Sequence, residues 1–288
     1  FGAGAEFFPV FNGTGANVVA LQSVNHRWQS VICSASAHIH VDEGGAPESM
    51  AGMKLWTVPT VDGKLRPDDV QGQCFDMEFV HRAQPGAVSI TQSSEMGTVY
   101  SPDEVSALAE VAHANNLALH MDGARLSNAA ASLHVPVRAF TVDAGVDLVS
   151  FGLTKNGAMA AESVIVLNGD RVQGVDFLRK TSMQLASKMR FLSAQFVAML
   201  TDDLWLRSAG HANAMACRLQ DGVGDLSGVT ITQSVDANAV FVLLPEQVAS
   251  RLQERFHFYT WDQATGEVRW MCAWDTTESD VDDFVAAV

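Results

Sequence analysis

Two short segments constrain this chain more than any other part of it: Leu119-His120-Met121-Asp122-Gly123-Ala124-Arg125 and Ser150-Phe151-Gly152-Leu153-Thr154-Lys155-Asn156-Gly157. Each reads as an apolar strand that halts on polar residues. The first stops at Asp122, with Arg125 following on a starting helix; the second runs into a lone lysine held among small residues. In an open α/β sheet, ligands bind outside the carboxyl ends of the strands. An acid and a lysine placed there suit pyridoxal 5'-phosphate, whose aldehyde needs a primary amine for a Schiff base and whose pyridinium nitrogen needs an anionic partner. Either segment alone reads as well as a satisfied buried acid or an ordinary strand-end lysine. It is the pair, with a glycine loop upstream, that carries the cofactor reading.

That loop is Asn12-Gly13-Thr14-Gly15-Ala16-Asn17, between a strand over Glu6 to Phe11 and a helix through Val18 to Gln22. Strand, glycine turn and helix make a phosphate cradle: glycines let backbone N–H groups approach an anion, Thr14 adds a hydroxyl, and the helix N-terminus is electropositive. The loop matches neither the Walker pattern nor the dinucleotide GxGxxG. Further strands are predicted at Ser30–Ser34, Lys54–Val58, Ala87–Thr91, Leu117–Met121, Asp147–Phe151 and Glu162–Leu167, alternating with helices such as Pro102–Asn115. This alternation predicts an α/β fold, a mostly parallel sheet with helices on both faces, and Gln92 to Gly97 again puts polar residues after a strand. One long helix is expected over Asp176–Leu200 and another over Asp202–Leu219. Strands at 228–232, 238–244, 257–260 and 268–273 with peripheral helices then form a smaller α+β unit. The division expected is a large cofactor-binding domain, 1–200, and a small C-terminal domain, 201–288.

A net charge of −15 repels phosphate backbones and argues against nucleic-acid binding, while leaving room for a local basic pocket. No apolar run reaches the roughly 18 residues of a spanning helix, so no membrane role is expected. Cys33, Cys74, Cys217 and Cys272 lack metal spacing and sit among apolar neighbours, which reads as reduced core residues of a cytoplasmic protein. The segment after the second strand gathers His38, His40, Asp42 and Glu43 without a closed set of four ligands, so no metal is assigned. His40 and Asp42 read as an exposed polar loop.

With GTGAN, the His38 loop, MDGAR and FGLTKNG in that order, the chain resembles the bacterial low-specificity L-threonine aldolases, fold type I enzymes that use pyridoxal phosphate. The likeness extends to Gln184-Leu-Ala-Ser-Lys-Met-Arg-Phe-Leu-Ser193, His211-Ala-Asn213 and Arg269-Trp-Met-Cys-Ala-Trp-Asp-Thr276 and covers essentially the whole chain. It implies aldol cleavage of L-threonine, L-allo-threonine and other β-hydroxy-α-amino acids to glycine and an aldehyde, by a homodimer or homotetramer. A related β-eliminating or serine hydroxymethyltransferase-like lyase is the alternative among enzymes of the fold, and a catalytically impaired fragment that keeps the fold but not the activity is the alternative from another class. Lys155 would then form the Schiff base and Asp122 keep the ring nitrogen protonated. Gly13, Thr14, Gly15, Ala16 and Asn17 would hold the phosphate, with Arg190 and Lys188 as further candidates from this or a neighbouring subunit. His38 would stack on the ring and serve as base at the β-hydroxyl, with a water held on His38, or a second group in its place, as the alternatives. Arg125 and Arg269 would clamp the substrate carboxylate.

Three departures from the family pattern stand out. A second loop histidine of some relatives is replaced by Gln92-Ser93-Ser94, with His81 a distant substitute. Leu153 stands where relatives have glycine, and is expected to crowd the cofactor loop. The family's N-terminal arm, with its Ser-Asp-Asn and Tyr-Gly-Asp segments, has no counterpart before Phe1, so the chain reads as a fragment or an incomplete product.

Overall fold

The computed structural model covers residues 1–288. Its larger sheet has seven strands: β1 (Glu6–Val10), β2 (Gln29–Ser34), β3 (Lys54–Val58), β4 (Gln84–Thr91), β5 (Ala118–Gly123), β6 (Leu148–Gly152) and β7 (Glu162–Val166), in the order β1-β7-β6-β5-β4-β2-β3. The ladder from β3 through β6 is parallel, and β7 runs against both β6 and β1. β5 and β6 are buried along their whole length, as their near-continuous apolar runs require of strands covered on both faces.

Eleven helices surround the sheets: α1 (Gly13–Val24), α2 (His38–Val41), α3 (Ala46–Met50), α4 (Pro67–Gln71), α5 (Pro102–Ala114), α6 (Leu126–Leu133), α7 (Val175–Thr181), α8 (Met189–Leu200), α9 (Leu204–Val223), α10 (Glu246–Gln253) and α11 (Glu278–Val285). Because strand side chains alternate, the sheet splits its apolar residues between two layers. Ile32, Val88, Leu119 and Met121 pack with Leu108 and Ala112 of α5 and Leu126 of α6. Val31, Cys33, Ala87 and Ala118 pack with Val18 and Leu21 of α1. Each fully buried leucine or valine in these layers stabilises the fold by about 1.5–3 kcal/mol relative to exposure. The same alternation sends Asp122 toward the α1 face, the face of Ala118. α5 starts at a capping box, Ser101 with Glu104, followed by Pro102, as its sequence signals.

The second sheet is antiparallel, β8 (Thr230–Ile231), β9 (Ala239–Leu243), β10 (Tyr259–Asp262) and β11 (Glu267–Met271), in the order β10-β11-β9-β8. It has its own apolar cluster, in which Val240, Val242 and Trp270 meet Met215 and Leu219 of α9, Leu252 of α10 and Val281 of α11.

Several expectations are corrected. The single helix over Asp176–Leu200 is two, α7 and α8, because the chain turns at Met183, whose φ is 60°, and Gln184 then reaches back to accept a hydrogen bond from Phe11 N–H at 2.9 Å. His38 opens the short helix α2 instead of lying in a loop. Cys33 and Cys272 are buried, but Cys217 lies on the exposed side of α9 and Cys74 is only partly covered. Leu153 does not crowd the cofactor loop; it is fully buried in the apolar layer beside Phe151. No helix is long and apolar enough to cross a membrane.

Candidate active site

A polar cleft opens at the carboxyl ends of the parallel strands, lined by Asn17, His38, Glu43, Glu95, Asp122, Arg125 and Lys155 among others. Asp122 is 5% exposed at the end of β5. One carboxylate oxygen accepts from Ala124 N–H at 3.0 Å and the other from the Asn17 amide at 2.9 Å. The same Asn17 nitrogen donates to Glu43 at 2.8 Å. With two carboxylates facing it, the amide must present its N–H₂ and not its oxygen, which fixes the orientation of Asn17. Beneath Asp122, the buried His120 bridges the Ser89 and Ser150 hydroxyls at 2.9 Å each, and burial pushes its pKa down to about 4 despite the nearby Asp122. His120 is therefore a neutral floor tying β4, β5 and β6 together.

Lys155 sits in the tight turn after β6, at the mouth of the cleft. Gly157 closes that turn with φ at 108°, a conformation natural to glycine, and a Cβ there would press on the Trp274 ring. Gly152 leaves room for the Glu162 carboxyl, which would collide with any side chain at that position. Desolvation, then the charge of Arg125, lowers the Lys155 pKa, with Asp122 and Glu162 opposing. Arg125 is itself lowered to about 10, by burial and then by Arg269. Arg269 projects from β11 over the Trp261 ring at 4.4 Å, and a second lobe of the cleft is lined by Arg125, Lys155, Asn238, Tyr259 and Arg269. Two like charges held near each other from different sheets are the arrangement expected of an anion clamp.

His38 Nδ1 lies 3.0 Å from the buried Glu43 Oε1, and this hydrogen bond is the main cause of a pKa raised above the ordinary imidazole value. A raised histidine adds stability that is full below the unfolded-state value of about 6.5 and fades as pH rises through the folded value. Glu43→Gln should therefore lower the His38 titration midpoint and narrow the melting-temperature gap from wild type at pH 8.5 compared with pH 5.5. An NMR titration of the His38 ring together with two thermal melts checks both; an unmoved midpoint would show that Glu43 does not govern His38.

The helix begins earlier than expected, at Gly13, so the glycine stretch is its first turn and not a loop before it; Asn12 is the N-cap, accepting from Gly15 N–H at 2.7 Å. The residues expected around the phosphate differ in how open they are. Ala16 is fully buried, and its N–H is already bonded to Asn12 O at 3.0 Å. Asn17, one turn into the helix, points its side chain at Asp122 and Glu43 instead of at the cradle. Gly13 and Thr14 remain partly open, and Gly15 lies under the Gln184 side chain where any Cβ would collide. Arg190 is exposed beside Phe191, Lys188 is exposed, and neither lines the cleft. His81 packs edge-on against Phe79, also away from the cleft. His40 and Asp42 are exposed.

Sequence reasoning missed the acids. Glu43, Glu95 and Glu162 all line the cleft, and burial raises the pKa of Glu95 and Glu162. Glu43 and Glu95 were visible only as polar residues after strands, because carboxylates are ordinarily surface residues. Glu162 had one usable signal: it begins a strand opposite Gly152, its partner in the β6–β7 ladder.

The profile of the β-eliminating lyase family matches residues 1–247. The chain belongs to that family. It is 42% identical to a low-specificity L-threonine aldolase of a Pseudomonas species over 290 residues, covering all of this chain and 84% of the relative. The corresponding Pseudomonas aeruginosa protein is 43% identical over 278 residues, covering 96% and 80%. A solved Leishmania major threonine aldolase superposes with a TM-score of 0.91 at 29% identity, covering 98% of this chain and 83% of that one. The fold is that of the fold type I enzymes, and this family of lyases depends on pyridoxal phosphate. The cleft fits such a group. Asn17 Oδ1, Glu43 Oε2 and Ser93 Oγ are buried there without partners, a carboxylate and an amine face one cavity, and a glycine-bearing helix N-terminus closes one end.

Proposed function

We propose that this chain cleaves L-threonine, L-allo-threonine and related β-hydroxy-α-amino acids to glycine and an aldehyde. The observation that carries the reading is the meeting of Asp122 and Lys155 in one cleft, with Arg125 and Arg269 converging beside the lysine. Names of the Pseudomonas relatives support the substrate class. When bound, pyridoxal phosphate supplies the electron sink for the pair released at the substrate's α-carbon.

The chain's own residues do the rest. Lys155 would hold the cofactor, helped by a depressed pKa that keeps more of its amine unprotonated near neutrality. Asp122, fixed by Ala124 and Asn17, would hold negative charge beside the ring nitrogen. Gly13 and Thr14 would face the phosphate, with Gly15, Ala16, Asn17 and Arg190 of the expected set supporting the cradle from behind or from a second copy. Arg125 and Arg269 grip the α-carboxylate, which decides which α-carbon bond stands perpendicular to the ring. His38, which lines the same cleft, would lie over the ring.

Purified protein given the cofactor and L-threonine should release glycine and acetaldehyde. Ammonia and a keto acid would indicate elimination instead, and bound cofactor without turnover an impaired enzyme. Arg269→Lys keeps the charge but loses the planar fork. Losing a charge-assisted hydrogen bond costs about 1.5–3 kcal/mol, so kcat/KM for threonine should fall roughly tenfold to a hundredfold with KM raised. Steady-state kinetics decide, and an unchanged KM removes Arg269 from the clamp.

The same proposal has the enzyme working in the cytoplasm as a homodimer or homotetramer. Phe177 of α7 and Phe191, Val197 and Leu200 of α8 expose apolar side chains that a second copy would cover, and all four cysteines are unpaired. The division into domains at 1–200 and 201–288 draws support from the separate apolar cluster of the second sheet. Sedimentation checks the first point and limited proteolysis the second.

A further inference from the structure

The two oxygens of the Glu95 carboxyl are not alike. Oε1 accepts from His38 N–H and from the Thr91 hydroxyl, both at 2.8 Å. Oε2 is buried and has no partner. A buried carboxyl oxygen left unpaired is costly, and such groups persist where a ligand completes them.

Glu95 is one of the residues that line the cleft. The two lobes of the cleft share Arg125 and Lys155: Arg269 lies in one lobe, and His38, Asp122 and Glu95 line the other. An amino acid whose carboxylate rests on the two arginines and whose α-carbon lies at Lys155 has the lobe of His38 and Glu95 open to its β-substituent. His38 Nδ1 is held by Glu43, which leaves Nε2 as the one ring nitrogen open to the lobe. The raised pKa of His38 keeps the ring charged to higher pH.

We propose that Glu95 Oε2 takes the proton of the substrate's β-hydroxyl as the Cα–Cβ bond breaks, a role that rests on the aldolase reading above. The O–H bond breaks toward Oε2, and its electron pair becomes the C=O π bond of the departing aldehyde. The Cα–Cβ pair stays on the α-carbon, which takes up one proton, so threonine gives glycine and acetaldehyde with no net change in protons. His38, held by Glu43, keeps the aldehyde oxygen and the ring in place. Burial raises the Glu95 pKa, which brings its carboxylate closer to the basicity a general base needs near neutral pH. The charged and titratable groups facing it are His38, Asp122, Arg125, Arg269, Cys33 and Tyr100.

Glu95→Gln tests this, because the amide oxygen still accepts from His38 and Thr91 while the proton acceptor at Oε2 is lost. In the holoenzyme, threonine cleavage should fall by about a hundredfold or more. Exchange of the glycine α-hydrogen into D₂O, which needs no β-hydroxyl base, should stay within roughly threefold, as should cofactor absorbance. If both reactions fall together, Glu95 only positions His38 and the proposal fails; undiminished threonine cleavage also overturns it. Wild-type protein that exchanges glycine but never cleaves threonine would sink the aldolase reading, and this role with it. Should Glu95→Gln not fold, Thr91→Val removes one bond that favours the carboxylate. The acidic limb of kcat/KM for threonine should then move to higher pH while the glycine-exchange limb does not; an unmoved threonine limb refutes the assignment.

Discussion

Lys155→Ala protein mixed with pyridoxal phosphate should fail to capture it covalently: no yellow colour that survives gel filtration, and no labelled peptide after borohydride reduction. The turn after β6 offers one primary amine to the cleft, and the other lysines stand elsewhere; Lys64, for example, is committed to Glu104 at 2.7 Å. Desolvation and Arg125 depress the Lys155 pKa, so its unprotonated fraction near neutrality exceeds that of a free lysine. Removing it deletes both the attachment point and a positioned proton carrier, and threonine turnover should fall by at least roughly 10²- to 10⁴-fold. The fold should hardly notice, because the Lys155 side chain makes no hydrogen bond within the chain and stands at the cleft mouth. A thermal melt separates this outcome from collapse. Cofactor trapped on another lysine in the variant would refute the assignment.

Much of this site could be read from the sequence, and for identifiable reasons. Asp122 and Lys155 end runs of apolar residues long enough to be buried strands, and a charge at such a junction has to face a cavity or a partner. Asn12 has the side chain of an N-cap, but the glycines after it lower helix propensity, and the helix expected only from Val18 in fact starts at Gly13. What stayed hidden depends on pairings far apart in the chain. Asn17 meets Asp122 across 105 positions, and nothing in its neighbourhood distinguishes it from a residue that faces a phosphate. The reversed direction of β7 leaves no mark in an apolar segment, since strand composition does not encode orientation when both faces are buried. The break between α7 and α8 lies in a stretch with neither glycine nor proline, where propensity favours continuing the helix and the contact of Gln184 with Phe11 decides otherwise. Burial of Glu43, Glu95 and Glu162 is likewise a tertiary outcome, with each acid held by donors from other segments or facing a glycine.

Asp122→Asn is expected to damage chemistry far more than cofactor binding. The carboxylate has two tasks, one local and one catalytic, and the substitution separates them. Locally it accepts from Ala124 N–H and from the Asn17 amide. An asparagine can serve only one of these donors with its single oxygen, and its N–H₂ then faces the other. An unmet donor of that kind costs about 1–3 kcal/mol, so a modest fall in melting temperature is expected. Catalytically the change removes the negative charge that favours a protonated ring nitrogen, and the electron-withdrawing power of the ring falls with it. Loss of a single preorganised electrostatic partner in a water-poor site typically lowers kcat about 10²- to 10³-fold. Cofactor affinity, carried largely by Lys155 and the glycine cradle, should change by less than roughly tenfold. Asn17→Ala offers an internal comparison: it withdraws one donor from Asp122 but leaves the charge, so its kcat should stay well above that of Asp122→Asn. Titrating cofactor into each variant and then measuring turnover of the loaded fraction distinguishes the cases. Lost binding with normal turnover of whatever is bound would make Asp122 a structural residue, and equal losses in the two variants would mean that geometry rather than charge is what the ring requires.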